Sequence, residues 1–238
     1  MQKYNLQKTT IWRFTNRGHW ATHKGDYRGN WSPHIPRNLI LKYTKPHDTV
    51  LDCFIGSGTT LIETKLLNRN GIGIDINANA IDITKKRTQF SINNSANIKL
   101  FLGDAQNLNM IKNNSIDFIC THPPYANIIK YSDNLINDLS ILNHTEFLKG
   151  MKKVSKELYR VLKPSHKCSF MIGDIRKDGN VIPLGFLTMQ CFIENNFKLK
   201  EIIIKEQHNC TSTPFWLEKI DKINFYLLAH EYIFVFVK

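Results

Sequence analysis

The sequence predicts an α/β domain: a mostly parallel seven-stranded sheet with an antiparallel last strand and helices on both faces. Three observations carry this expectation. Short runs rich in Val, Ile, Leu and Phe alternate with stretches of helical period. A Gly-x-Gly turn, Gly56-Ser57-Gly58, joins one such run to the helical stretch that follows it. Acidic residues, Asp52, Asp75 and Asp104, stand at the ends of three successive strand-like runs.

In chain order, residues 1–36 form an irregular lead, rich in aromatic and basic residues and punctuated at Pro33 and Pro36. A helix is expected from about Arg37 to Tyr43, stopped before Pro46. Strands are expected at 48–54, 71–76, 98–102, 115–120, 167–172, 199–205 and 231–237. Helices are expected at 59–68, 79–90 and 184–195. Phe147, Leu148, Met151, Val154, Leu158, Val161 and Leu162 make a long amphipathic stripe that ends at Pro164. Residues 37–238 then form the domain proper, with short insertions near 126–144 and 207–224. In such sheets ligands bind beyond the carboxyl ends of the strands, where strand order reverses.

With 42% hydrophobic residues the chain can bury a full core without disulfides or metals. The five cysteines, Cys53, Cys120, Cys168, Cys191 and Cys210, are scattered and never paired as CxxC. They read as reduced residues of a cytoplasmic protein, and no metal site is expected. The N-terminus lacks an apolar signal-type stretch, and no run reaches the ~18 apolar residues needed to cross a bilayer. No membrane partner is expected. A formal net charge of +12 points to a polyanionic partner, since fixed positive charge displaces phosphate counterions; a solubilising Lys-rich surface is the competing reading.

The segment Asp52-Cys-Phe-Ile-Gly-Ser-Gly-Thr-Thr60 falls at a strand-to-helix junction. Gly56 and Gly58 permit a tight turn, and the helix N-terminus beyond them presents N–H groups to a ligand. No GK[ST] follows, so a P-loop is excluded. Asp75, roughly 20 residues after Asp52, sits where an acidic side chain accepts both hydroxyls of a ribose. Asp104, at the third strand end, is placed to accept from an adenine amino group. Each alone reads more often as a cap or turn residue; the three together favour nucleotide binding.

DCFIGSGTT resembles the S-adenosylmethionine (SAM) motif of amino-methylating DNA methyltransferases. Trp31-Ser-Pro33-His-Ile-Pro36-Arg37 resembles the segment preceding that motif in the family, and Thr121-His-Pro-Pro-Tyr125 resembles its catalytic tetrapeptide, usually [D/N/S/T]PP[Y/F/W]. The resemblance runs from about Tyr27 to the last strand. It implies a single Rossmann-like methyltransferase domain, with SAM held by Trp31, Pro33, Asp52, Phe54, Gly56, Gly58, Thr59, Asp75 and Asp104. It further implies that His122, Pro123, Pro124 and Tyr125 form the catalytic turn, acting on a base flipped from duplex DNA.

That chemistry needs hydrogen-bond acceptors. The exocyclic nitrogen of cytosine or adenine is a poor nucleophile because its lone pair is delocalised into the ring. Acceptors on its N–H groups free that pair. His122 departs from the family pattern, but a neutral imidazole can accept through its unprotonated nitrogen or take the released proton. Tyr125 would stack on the base. Cytosine-N4 is slightly favoured over adenine-N6, because the tetrapeptide lacks an acidic residue. Carbon-5 methylation is not expected, as Cys120 lacks the Pro-Cys context of that chemistry.

No recognition domain fits between these motifs, so target contacts must come from short elements or a separate subunit. Arg13, Arg17, Trp20 and Arg28 interleave cations with stacking platforms and are candidate DNA contacts; packing over the cofactor pocket is an equal alternative for the lead. Partners expected besides DNA are a second copy, or none, and a recognition subunit or cognate restriction endonuclease. Two rival readings remain: an RNA amino-methyltransferase of the tRNA guanine-N2 type, and a catalytically idle SAM-binding subunit.

Overall fold

A computed structural model describes residues 4–133, 135–208, 213–218 and 220–238. The elements in chain order are β1 (Ile11–Trp12), α1 (His34–Tyr43), β2 (Thr49–Asp52), α2 (Thr59–Leu66), β3 (Asn70–Asp75), α3 (Ala78–Thr88), β4 (Ile98–Leu102) and β5 (Ile116–Thr121). There follow α4 (His144–Val161), β6 (Leu162–Ile172), β7 (Ile175–Lys177), β8 (Asn180–Ile182), α5 (Leu184–Glu194), β9 (Lys198–Glu206), α6 (Thr213–Leu217) and β10 (His230–Val237).

The main sheet has the order β1-β9-β10-β6-β5-β2-β3-β4. Every neighbouring pair is parallel except those made by β10, which runs antiparallel to both β6 and β9. The mostly parallel sheet with an antiparallel last strand is therefore as the sequence predicts. Its strand number is not: β1, from the lead, adds an eighth strand beside β9, and β7 and β8 form a separate hairpin.

Alternation along the strands divides the core. Val50, Phe118, Cys120, Met171, Ile233 and Val235 face one side, where they pack with Ile35, Leu39 and Ile40 of α1 and with Trp12 and Trp31. Leu51, Ile119, Cys168, Phe170, Phe234 and Phe236 face the other, against Phe147, Met151, Val154 and Leu158 of α4 and Leu184 and Phe192 of α5. α4 forms as its apolar stripe dictates. It is capped by Asn143, whose side chain accepts from the Thr145 and Glu146 N–H groups, with Glu146 in the first turn and Arg160 in the last.

Two boundaries differ from expectation for local reasons. α1 begins at His34, taking Pro36 into its first turn, where a missing N–H breaks no bond. β6 begins at Leu162 and carries Pro164: Ile116 pairs with Leu162 but Phe118 with Lys167, so residues 163–166 bulge out of the ladder. The insertion expected near 126–144 holds, among the described residues, two single 3-10 turns, at Ala126–Ile128 and Leu139–Ile141. Near 207–224 lie α6 and a 3-10 turn, Ile220–Lys222; residues 209–212, with Cys210, and Lys219 fall outside the described residues. The other four cysteines are buried free thiols.

Candidate active site

β2, β3 and β4 step outward in one direction, and the chain then crosses back to place β5 beside β2. At this reversal the carboxyl ends of β2, β3 and β5 and the segment after β4 open into one cavity of about 620 Å³, within the size range of small-ligand sites. The glycine turn and the double-proline turn share it: Phe54, Gly56, Ser57 and Thr59 line it with Asp75 and Asp104, and so do His122, Pro123, Pro124, Tyr125, Trp31 and Arg28.

The glycine turn takes its shape from two left-handed residues, Gly56 at φ +49° and Gly58 at φ +83°. Gly58 caps α2 from behind the cavity, where a Cβ would come within 2.7 Å of Thr84. Asp75 crosses to the turn: one carboxylate oxygen accepts from the Gly56 N–H (2.9 Å) and the other from that of Asn77 (3.0 Å). Burial raises its pKa above the usual range. Asp104 accepts from the Gln106 N–H.

Asp52, Pro33 and Gly58, expected to touch the cofactor, do not line the cavity. Asp52 lies behind the turn as a cross-brace, accepting from the Thr60 hydroxyl (2.5 Å), the Thr121 hydroxyl (2.7 Å) and the Phe54 N–H (3.1 Å). It thereby ties β2 to α2 and to the start of the double-proline turn. Burial pushes its pKa up to about 6, against the pull of those donors. Pro33 is buried at the N-cap of α1.

The lead wraps the cavity. Tyr27 and Tyr131 stack 6.0 Å apart, and the Tyr131 hydroxyl donates to the Arg28 carbonyl. The Thr59 hydroxyl donates to the Asn30 side chain. Arg17 and Trp20, expected on DNA, are spent inside: the Arg17 guanidinium donates to the carbonyls of Asn30 and Trp31, and the Trp20 indole to Glu63. Glu63 is fully buried and also holds His23 and Arg37, which pins the lead to α2. Both side chains brace the lead, and neither lines the cavity. Arg13 is exposed beside Glu206 just past β1 and does not line the cavity. Arg28 is exposed at the mouth.

The double-proline turn is set by its neighbours. His122 stacks on Trp31 (ring centroids 5.1 Å, interplanar 16°) and meets Tyr125 edge-on. The Tyr125 hydroxyl lies 2.9 Å from His122 Nε2 and donates to Glu231 (2.6 Å), which Lys205 also holds (2.8 Å). Burial pushes the His122 pKa down to about 4, so the ring is neutral near pH 7. Glu231, Lys205, Asn30, Tyr27, Tyr131 and Asp138 were missed in the sequence. They come from segments without a motif, though Glu231 stands within the closing strand that carries the resemblance.

The pocket suits a polar, nucleoside-like ligand. Ser57 Oγ is buried on its wall without a hydrogen-bond partner among the described residues, and Asp75, Asp104, Asp138 and Glu231 line the same cavity. The fold sets a glycine turn and a rigid double-proline turn on one cavity at the carboxyl ends of the strands. The chain belongs to the DNA methylase family, whose profile matches residues 1–86 and 116–238, and S-adenosylmethionine is its cofactor. A second profile, RNA cap guanine-N2 methyltransferase, matches residues 47–168.

Among relatives, the Type II methyltransferase M2.MboI of Moraxella bovis is 36% identical over 89 residues, covering 37% of this chain and 33% of that protein. A tRNA (guanine(10)-N2)-dimethyltransferase of Methanothermobacter thermautotrophicus is 31% identical over 102 residues, 42% of this chain and 29% of the relative. The chain spans about a third of the length of the curated relatives it matches. A SAM-dependent methyltransferase structure from Methanosarcina mazei shares the fold, with TM-score 0.56 and 17% identity over 84% of this chain and 96% of that one. No helix among the described residues is long and apolar enough to cross a membrane.

Proposed function

We propose that the protein methylates the exocyclic amino group of a base in DNA, cytosine-N4 slightly before adenine-N6. The observation that carries this reading is that the glycine turn and the His122-Pro123-Pro124-Tyr125 turn line the same cavity. SAM supplies an electrophilic methyl group. Thr59, Gly56, Phe54 and Trp31 would enclose it, with Asp75 receiving the ribose and Asp104 the adenine end. Asp52 and Gly58 act behind them by shaping the turn, and Pro33 starts α1.

The rest of the work falls to the chain's own residues. Pro123 and Pro124 lack N–H groups and have fixed φ, so the turn presents rigid carbonyl acceptors. The neutral His122 ring adds a side-chain acceptor, and together they hold the amino nitrogen in line, which makes positioning a large part of the rate. Tyr125 offers its ring to the base. Arg28 lies where a phosphate would pass the mouth. The partners of this reading are duplex DNA with the target base flipped, and a recognition subunit or cognate endonuclease.

The test is transfer of labelled methyl from SAM to duplex DNA by the purified chain. His122→Ala and Tyr125→Ala should each abolish transfer while SAM binding by calorimetry stays within a few-fold. Full turnover by the His122 variant would remove that residue from the mechanism. The RNA guanine-N2 profile and the tRNA-modifying relative favour a second reading, methylation of a guanine amino group in RNA. The same assay on unmodified tRNA decides between them.

A further inference from the structure

Lys205 and Glu231 face each other as a cross-strand pair on β9 and β10, at the edge of the cavity. The direction of every hydrogen bond from this pair to His122 is forced. A lysine ammonium only donates, and an ionised carboxylate only accepts. Burial opposes ionisation of Glu231, but Lys205, His122 and the Tyr125 hydroxyl together hold the carboxyl below its usual pKa. Glu231 therefore accepts from Lys205 Nζ at Oε2 (2.8 Å) and from the Tyr125 hydroxyl at Oε1 (2.6 Å). The single hydroxyl proton of Tyr125 is then spent, so its oxygen must accept from His122 Nε2 at 2.9 Å. A neutral imidazole carries one proton. With that proton on Nε2, Nδ1 is left with its lone pair, and it makes no hydrogen bond among the described residues. The stacked Trp31 ring fixes the plane in which that lone pair lies.

We propose that Lys205, Glu231 and the Tyr125 hydroxyl form a positioning relay that locks His122 in its Nε2–H tautomer, making Nδ1 the side-chain acceptor for an amino N–H of the target base. The proposal rests on the amino-methylation reading for its substrate, but the tautomer is measurable without one. Glu231 and Lys205 are positioning residues; of the side chains in the relay, His122 and the Tyr125 ring meet the base.

The relay can be reversed by one atom. In Glu231→Gln the amide oxygen must turn to Lys205, which can only donate, and the amide nitrogen then faces Tyr125. Tyr125 now accepts from Gln and donates to His122 Nε2, so the ring proton moves to Nδ1 and the acceptor is lost. Adding Lys205→Met frees the amide to turn its oxygen back toward Tyr125.

The experiment records ring-nitrogen NMR on the full-length chain labelled with ¹⁵N-histidine, with His122 assigned by its disappearance in His122→Gln. The wild type should show a protonated Nε2 and an unprotonated Nδ1. Glu231→Gln should interchange them and lower kcat roughly 100-fold, with the SAM dissociation constant within twofold. Glu231→Gln with Lys205→Met should restore the wild-type tautomer and recover at least tenfold in kcat. Tyr125→Phe, which keeps the ring, should give a mixture of tautomers. An Nδ1–H ring in the wild type, or an unchanged tautomer in Glu231→Gln, overturns the relay. A wild type with the expected tautomer but no transfer to DNA or RNA overturns the amino-methylation reading instead, so the two failures are told apart.

Discussion

Asp52 and His122 lie on either side of the β2–β5 reversal, and burial moves their pKa values in opposite directions, toward the neutral form of each. For Asp52 the consequence is a stability effect with a definite sign. Its folded pKa, about 6, exceeds the ordinary 3.8, so the folded chain binds the proton more tightly than the unfolded one. The contribution is fully present below about pH 4 and is lost as pH rises through 6. Asp52→Asn keeps an oxygen for Thr121 and Phe54 but cannot ionise. Measured by urea unfolding, the variant should therefore gain about 3 kcal/mol relative to wild type between pH 4 and pH 7. A difference that is flat or shrinks over that range would mean the carboxylate's three donors fully compensate its burial. At this scale the sequence revealed the motif residues but not their division of labour. Spacing places Asp52, Asp75 and Asp104 at equivalent strand ends, yet only the last two reach the cavity, because Asp52 is claimed by the hydroxyls of Thr60 and Thr121.

Among elements, those with a strong period were legible and those held by single contacts were not. α4 and the seven long strands follow their apolar patterns to within a few residues. β1 is two residues long and exists because β9 offers it an edge. The β7–β8 hairpin did carry a signal, the pair Asp178-Gly179 between apolar runs, and both residues take positive φ as a tight hairpin turn requires. The lead reads as loop, yet it closes the cavity through specific contacts at Tyr27, Gly29 and Asn30. Gly29 is needed there: φ is +74°, and a Cβ would collide with the Tyr131 hydroxyl. Gly29→Ala should push Tyr131 away from the lead, loosening the wall of the cofactor pocket. The expected outcome is a roughly tenfold weaker SAM affinity by calorimetry. The left-handed strain itself costs about 1 kcal/mol and a fall of a few degrees in melting temperature. Unchanged affinity would show that the two tyrosines merely cover the site.

For the molecule as a whole, the excess of cations is meaningful only if it is placed where a polyanion would lie. Arg13 and Arg17, prominent in the sequence, are paired at a sheet edge or spent on carbonyls. Among the described residues, Arg28 is exposed and lines the cavity, and the exposed Lys24 and Lys130 are each next in sequence to lining residues, Gly25 on the lead and Ile129 and Tyr131 on the facing loop. A duplex delivering a flipped base to the double-proline turn would bring phosphates past these three side chains. If each neutralises one phosphate, log affinity should fall against log salt with a slope of about −0.9 for each, and affinity should drop roughly 40-fold between 50 and 200 mM salt. Removing Arg28 or Lys130 by alanine should reduce the slope by about one, with little effect on SAM binding. Fluorescence anisotropy with a labelled duplex measures both. A slope near zero, or one untouched by the two substitutions, would assign the net charge of +12 to solubility rather than to a nucleic-acid face.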